Sequence, residues 1–146
     1  MATQEQHLNA LMTWHVEGAE SGGAMTLGEV LLQPGDEPPL HIHAREDEAW
    51  CILEGTILFQ RGVERIVRGP GEAILLPRGI AHGFAVQSPK ARILHIYTPA
   101  GIEEAFHAVS RAEAPMVVIE GAFGERGVTF VGPPLPVLLA AEGEPR

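Results

Sequence analysis

Between residues 24 and 98 the chain alternates short apolar runs with turn-forming breaks. Runs such as "EAWCILE", "TILFQ" and "ARILHIYT" have the length of strands, and the breaks between them contain glycine, proline or charged residues. The 17 glycines and 12 prolines lie mostly between the runs, which disfavours long helices in this region. The pattern predicts an all-β fold, an antiparallel sandwich or barrel.

The rest of the chain is expected to surround this core. Residues 1–23 would form an N-terminal extension that could add a strand to the barrel core of residues 24–98. Residues 99–146 would hold one or two short helices and a C-terminal extension that packs on the barrel or on a partner subunit. The stretch "GIEEAFHAVS" has a helical period with two glutamates in its first turn. A second helical turn is expected within residues 115–123, then an extended "GVTFVG" and a proline-rich tail along the surface with mobile last residues.

Composition limits the kinds of partner. With 146 residues, 45% of them hydrophobic, the chain can bury the core of one domain. Ten basic and nineteen acidic side chains give a net charge of −9, which argues against nucleic acid and against an anionic membrane surface. No apolar run approaches the roughly 20 residues of a membrane span. These features predict a cytoplasmic protein with a small-molecule partner.

The stretch "HIHAREDEAW" is the first candidate for a functional site. Residues two apart in a strand point to the same face, so His41 and His43 deliver two imidazoles to one point. Glu48 lies at an odd offset from them, but a turn within "AREDE" could bring its carboxylate alongside. From there Glu48, Trp50 and Ile52 share one face of the next strand. The stretch therefore allows three ligands of a metal ion.

Taken alone, this stretch also fits a polar surface. Histidines two apart are common on exposed strands, and the charged residues after them are typical of a solvated turn, here Arg45, Glu46 and Asp47. The segment "GEAILLPRGIAHGFAV" favours the metal site, because a strand ends at Pro77 and His82 begins the next strand, with Phe84 and Val86 on its own face. A third imidazole thus reaches an apolar face.

The spacing of both segments resembles the two sequence motifs of the cupin family. The resemblance covers residues 24–98 and implies an antiparallel jelly-roll β-barrel, whose closure removes exposed strand edges. It departs from the family pattern at Val86, where asparagine is usual, which puts a structural or substrate contact in doubt. The matched positions are Gly35, His41, His43, Glu48 and Gly55 in the first motif and Gly71, Pro77, Gly79 and His82 in the second.

The metal ligands implied by the resemblance are His41, His43, Glu48 and His82. Such nitrogen and oxygen ligands suit one divalent transition-metal ion, Fe, Mn, Ni, Co, Cu or Zn, and do not discriminate strongly among them. Without cysteine ligands the site is unlike a closed structural zinc site, and it leaves positions open to substrate. The predicted substrate pocket consists of Trp50, Ile52, Phe59, Phe84, Met25 and Tyr97, with His95 as a donor behind the ligands.

The remaining histidines and the cysteine are predicted to have ordinary roles. We expect His7, His15 and His107 to be surface or helix residues. Cys51 is the single cysteine, cannot form an internal disulfide, and points away from Glu48. We expect it to be a small buried hydrophobe.

The resemblance extends to quercetinase-like single-domain cupins. It implies a metal-dependent dioxygenase that acts on a small enol or phenolic, flavonol-like substrate and on dioxygen, with Glu48 as ligand or catalytic base. The alternatives are a non-redox cyclase or isomerase for a polyketide or sugar-like substrate, and a non-catalytic small-molecule-binding domain. We also expect a homodimer, because one strand face would leave an apolar patch on a monomer, formed by Ala49, Cys51, Leu53, Leu94 and Ile96.

Overall fold

A computed structural model describes residues 2–7, 10–110 and 114–143 as two antiparallel sheets with short helices around them. Eleven strands and four helices are found in these ranges. In chain order they are β1 (Thr3–His7), β2 (Ala10–Val16), α1 (Gly18–Ser21), β3 (Thr26–Leu32), β4 (Pro39–His43), β5 (Asp47–Glu54), β6 (Ile57–Arg61), β7 (Glu64–Arg68), β8 (Ala73–Leu76), β9 (His82–Val86), β10 (Ala91–Thr98), α2 (Glu103–Ser110), α3 (Met116–Gly124), β11 (Val128–Pro134) and α4 (Leu135–Ala141).

The two sheets form a jelly-roll sandwich. One sheet has the strand order β1-β2-β3-β10-β5-β8 and the other β11-β4-β9-β6-β7. Successive strands such as β4 and β5 lie in different sheets, so the chain crosses repeatedly from one layer to the other. This confirms the all-β, jelly-roll fold class predicted from the sequence. The first 23 residues contribute β1 and β2 to one edge of the six-stranded sheet.

Alternation along the strands places the core between the sheets. In β5 every second side chain is buried, and β10 shows the same period. Trp50 and Ile52 therefore point inward, and Ile93 joins them from the neighbouring strand. The main core cluster comprises Ala10, Met12, Trp14, Val30, Leu32, Trp50, Ile52, Ile57, Phe59, Ile74, Leu76, Phe84, Val86, Ala91 and Ile93.

Two helices close one end of the sandwich. The helices predicted within residues 101–110 and 115–123 are present as α2 and α3, and the extended "GVTFVG" is β11. Phe106 of α2 meets Phe123 of α3 at a ring distance of 4.9 Å. These rings pack on a second cluster that includes Tyr97, Ile102 and Val128. This apolar cap lies over the same end of the sandwich as the histidines.

The proline-rich tail contains a helix over residues 135–141 that the sequence did not indicate. They form α4, whose Leu135 and Leu139 are 0% and 1% exposed and pack with Ala85. Pro136 stands in the first turn, where the missing N–H costs nothing. The predicted mobility of the last residues concerns residues 144–146, which lie outside the described ranges. No helix among the described residues has both the length and the apolar character that crossing a membrane requires.

The outer face of the six-stranded sheet is largely apolar. Cys51 on β5 is half-buried there rather than buried as predicted, and Leu94 and Ile96 on β10 are likewise half-buried. Leu31 and Leu75 on flanking strands are 43% and 52% exposed. A homodimer through this face stays a prediction, and a monomeric mass in solution at micromolar concentration would contradict it.

The turn after β5 requires glycine at position 55, which gives a stability prediction. Gly55 has φ of +88°, and a Cβ there would lie 2.5 Å from the Lys90 carbonyl oxygen. Gly71 has φ of +83° but open space around it. The positive φ costs each alanine variant about 1–2 kcal/mol, and steric overlap adds about 1–3 kcal/mol at position 55 only. In urea denaturation Gly55→Ala should therefore lose more stability than Gly71→Ala. Equal losses would contradict the clash.

Candidate metal centre

Three imidazoles meet on the five-stranded sheet. His41 and His43 share one face of β4, and His41 stands directly opposite His82 of β9 in the register. Opposed residues on neighbouring strands are close enough for their side chains to touch. The rings of His41 and His82 are 4.5 Å apart, and those of His43 and His82 are stacked at 5.4 Å.

The fourth candidate ligand comes from the other sheet. A turn after His43 leads the chain into β5, where Glu48 is the first buried residue. Glu48 Oε1 lies 3.1 Å from His82 Nε2 and 3.8 Å from His43 Nε2. One ligand atom from each of His41, His43, Glu48 and His82 can be chosen so that all lie within 4.8 Å of one another. The structure thus brings the four sequence-predicted ligands to one point.

Hydrogen bonds fix the orientation of these side chains. His41 Nδ1 is 2.7 Å from the Pro39 carbonyl oxygen, and His43 Nδ1 is 2.6 Å from Glu46 Oε1. In both rings Nε2 therefore remains available to bind an ion at the point where the four side chains meet. Trp50 Nε1 donates to Glu48 Oε2 over 2.8 Å, while Glu48 Oε1 is buried with no hydrogen-bond partner among the described residues. An unpartnered buried carboxylate oxygen facing imidazole nitrogens fits a metal ion.

The protonation of the ligands also suits a cation. Burial lowers the pKa of His41 to about 3, so its imidazole is neutral, the form that binds metal. Burial would raise the pKa of Glu48, but the adjacent His82 ring and the other neighbouring imidazoles lower it below its usual range. Burial opposes protonation of His43 as well, yet Glu46 and Glu48 raise its pKa. The buried centre therefore offers a cation the Glu48 carboxylate and the neutral His41 imidazole.

Glu46 is a buried neighbour of the candidate ligands that the sequence interpretation missed. It was assigned to a solvated turn, and this assignment is wrong: Glu46 is 4% exposed. Arg45 is exposed, as expected for a solvated turn, and Asp47 forms a surface ion pair with Arg78 at 3.2 Å. A carboxylate three residues after a ligand histidine was the available signal, because a tight turn folds such a residue back onto the ring.

Tyr97 and His95 lie behind Glu48 on β10. Tyr97 is directly opposite Glu48 in the register of β5 and β10. Its hydroxyl is 3.0 Å from His95 Nδ1, and His95 is buried beside Gly28. Burial and the Glu48 charge raise the pKa of Tyr97 well above its usual value, and burial lowers the pKa of His95 to about 4. Tyr97 is thus a neutral phenol, and His95 a neutral imidazole that contacts Tyr97.

The other predicted pocket residues occupy the core or its rim. Trp50 touches Glu48 and also packs on Phe84 and Phe59, with ring centroids 4.8 Å and 5.2 Å away. Ile52 and Phe59 are completely buried, so they lie behind Trp50 rather than beside the ligands. Met25 is half-buried just before β3, where its backbone bonds with the Ser21 hydroxyl. Their place in a substrate pocket stays a prediction.

Val86, where the chain departs from the family pattern, makes a buried backbone contact that does not depend on its side chain. The Val86 backbone N–H donates to Glu37 Oε2 over 3.0 Å, and Glu37 Oε1 accepts from the Gly35 N–H over 2.8 Å. One buried carboxylate therefore ties the start of the first motif to the end of the second. The Val86 side chain is fully buried in the core. This contact was not foreseen from the sequence.

A second group of titratable side chains lies at the N-terminal edge. His107 is in α2, as expected, but its ring contacts both Glu5 of β1 and Glu17 beside α1. Burial lowers the pKa of His107, but the two carboxylates outweigh this and raise it. His7 is largely buried and lies 3.7 Å from Glu5. His15 is bonded to Glu29 at the surface.

The comparison with known families agrees with the two motifs. Residues 28–97, just under half of the chain, match the family model described as a cupin domain. This segment contains all four candidate ligands. A quercetinase-like subtype stays a prediction. A search of curated proteins found no match for the chain.

Solved structures show the same fold. KdgF from Halomonas sp. superposes with a TM-score of 0.61 at 16% identity, over 69% of this chain and 90% of that one. PAC13 from Streptomyces, in a substituted form with uridine, gives 0.62 at 12% identity over 91% and 86%. The cupin domain of Cnp3 from Schizosaccharomyces pombe gives 0.58 at 15% identity over 73% and 74%. At such identities the likeness concerns the fold, and the activity must be argued from the site.

Proposed function

We propose that the chain is a metal-dependent enzyme with one divalent transition-metal ion held by His41, His43, Glu48 and His82. The observation that carries the proposal is the convergence of these four side chains. The Nδ1 atoms of His41 and His43 are bonded to oxygen atoms outside the site, and Glu48 Oε1 has no hydrogen-bond partner in the described part of the chain. Such an ion supplies Lewis acidity and, if redox-active, electron transfer with dioxygen.

The proposed reaction is the oxidation of a small enol or phenolic substrate by dioxygen. The cap around the ligands is aromatic, since Tyr97 lies 6.0 Å from His43 and Phe130 lies 6.3 Å from His41 between ring centroids. A flat, hydroxyl-bearing substrate would stack on such rings and exclude water. Glu48 is the one carboxylate among the four candidate ligands and would accept the proton of a substrate hydroxyl. Trp50 holds the other carboxylate oxygen and sets the direction of this transfer.

A non-redox isomerase or cyclase is the second candidate. Its support is the buried pair of Tyr97 and His95, a donor and an acceptor placed beside Glu48. Isomerisation and cyclisation need a proton removed at one atom and delivered at another. Tyr97, a neutral phenol held in place by His95, would deliver the proton. Oxidation by dioxygen has no comparable need for this pair.

Metal analysis followed by turnover assays tests these functions. Protein purified without chelator is analysed for bound metal, stripped, and reloaded with one ion at a time. Oxygen uptake is then measured with a panel of flavonols, phenols and small enols, and the same panel is incubated anaerobically. Substrate-dependent oxygen uptake that disappears on stripping and returns on reloading supports the dioxygenase. Anaerobic conversion supports the isomerase or cyclase. If the metal-loaded protein is inactive in both assays, this result would contradict the proposal of an enzyme and favour a binding domain.

A further inference from the structure

A second carboxylate stands directly behind the candidate metal ligands. Glu46 Oε1 is 2.6 Å from His43 Nδ1, and the two side chains are 5% and 6% exposed. Because water has little access, the bond between them is stronger than a similar contact at the surface. Glu46 is therefore fixed on the outer nitrogen of a ligand whose inner nitrogen faces the centre.

The Glu46 charge changes the electrostatic balance of the site. Three neutral imidazoles and the Glu48 carboxylate around a divalent ion leave a net charge of about +1. The Glu46 carboxylate, one imidazole ring away, brings the total close to zero. Arg78 of the adjoining loop also feels the Glu46 charge, but its guanidinium is bound to Asp47. His43 is the side chain to which Glu46 is bonded, so the Glu46 charge acts directly on this ring and would act through it on the ion.

We propose that Glu46 is a positioning residue that orients His43 and neutralises the metal centre, so that the centre takes neutral, hydroxyl-bearing ligands rather than anions. A buried centre without net charge gains little from an added anion, because the anion must also be desolvated. A neutral phenol or enol meets no such penalty. This inference rests on the metal site of the proposed function, and it holds for either reaction.

Cobalt(II) and azide test the two parts of the inference. The visible absorption of bound Co²⁺ reports metal affinity by competition with a chelator, and its change on adding azide reports anion affinity. Glu46→Gln keeps the size and a hydrogen-bond acceptor but removes the charge. We expect Glu46→Gln to bind Co²⁺ about 10–100-fold more weakly than the wild type. We expect the Co²⁺-loaded variant to bind azide about tenfold more tightly, because a unit charge a few ångströms away has been removed.

Two further variants separate charge from packing. Asp47→Asn removes the same charge one residue along, at the exposed Arg78 pair, and should leave both affinities unchanged. Glu46→Asp keeps the charge on a shorter side chain, so it should weaken Co²⁺ binding and keep the weak azide binding of the wild type. These variants also carry the test if Glu46→Gln does not fold.

The outcomes are distinguishable. Unchanged Co²⁺ affinity in Glu46→Asp would overturn the orienting role. Unchanged azide affinity in Glu46→Gln would overturn the neutralising role. An equal gain in azide affinity in Asp47→Asn would show a general surface effect and would also overturn it. If the wild type binds no Co²⁺, the proposed metal site itself fails, which is a different result from either.

Discussion

Replacing His82 with alanine is expected to abolish stoichiometric metal binding while leaving the fold intact. His82 Nε2 faces Glu48 Oε1 at 3.1 Å, and its Nδ1 has no partner among the described residues. Its removal therefore breaks none of the hydrogen bonds that orient the other three candidate ligands. By contrast, His43→Ala would leave the buried Glu46 carboxylate unpaired, which destabilises a fold by itself. Removing a residue that only supports a metal ligand weakens metal binding about 10–100-fold. We expect removal of His82 itself to weaken metal binding more than that.

Metal content and folding must be measured on the same sample. Mass spectrometry of protein reloaded with Co²⁺ or Zn²⁺ gives the content, and circular dichroism with thermal melting gives the fold. His15→Ala is the matched control, because it removes an imidazole that lies at the surface and bonds to Glu29. The control should keep its metal. A folded His82→Ala variant that retains stoichiometric metal would refute the assignment of the site.

Replacing Trp14 with alanine is expected to cost about 3–5 kcal/mol of unfolding free energy. Trp14 is 1% exposed, and its ring contacts His95, Phe106 and His107 at centroid distances of 5.6, 5.4 and 5.7 Å. Alanine would leave a cavity where the N-terminal strands, β10 and α2 meet. Trp14 Nε1 is buried without a partner in the described part of the chain, so Trp14→Phe should cost less.

Chemical denaturation in urea measures this loss. Val63→Ala is the control, because Val63 is 99% exposed and its truncation should change stability by less than about 0.5 kcal/mol. Trp14 contacts none of the four ligands, so folded Trp14→Ala should bind metal like the wild type. A loss below about 1 kcal/mol would mean that Trp14 is not a central packing residue.

The pairing of His41 and His43 was predictable because its signal is local, whereas the full set of four ligands was implied by the resemblance to the cupin motifs. Two histidines two residues apart on a strand must share a face, whatever the rest of the fold. The alternation that buries Glu48 and Trp50 likewise follows from a strand beginning near Asp47. The all-β class followed from the spacing of turns. These inferences need only a few consecutive residues.

The partners of the ligands were not predictable because they depend on strand register. Nothing in the sequence places His41 opposite His82, or Tyr97 opposite Glu48, until the strand order is known. Glu46 was misassigned for a related reason. A charged run is normally solvated, and only the crossing of the chain between the two sheets buries this member of the run. The helix at residues 135–141 was missed because the prolines around its start disfavour a helix in a sequence pattern.

The two sheets each contribute to the candidate centre, since His41, His43 and His82 lie on the five-stranded sheet and Glu48 lies on the six-stranded sheet. A bound ion would therefore cross-link the two layers. Any ligand that binds only the native state stabilises it, by about 2.7 kcal/mol at a free concentration 100 times its dissociation constant. The lifetime of the protein in a cell would then follow the supply of the ion, because metal-poor chains would unfold more often and be degraded sooner.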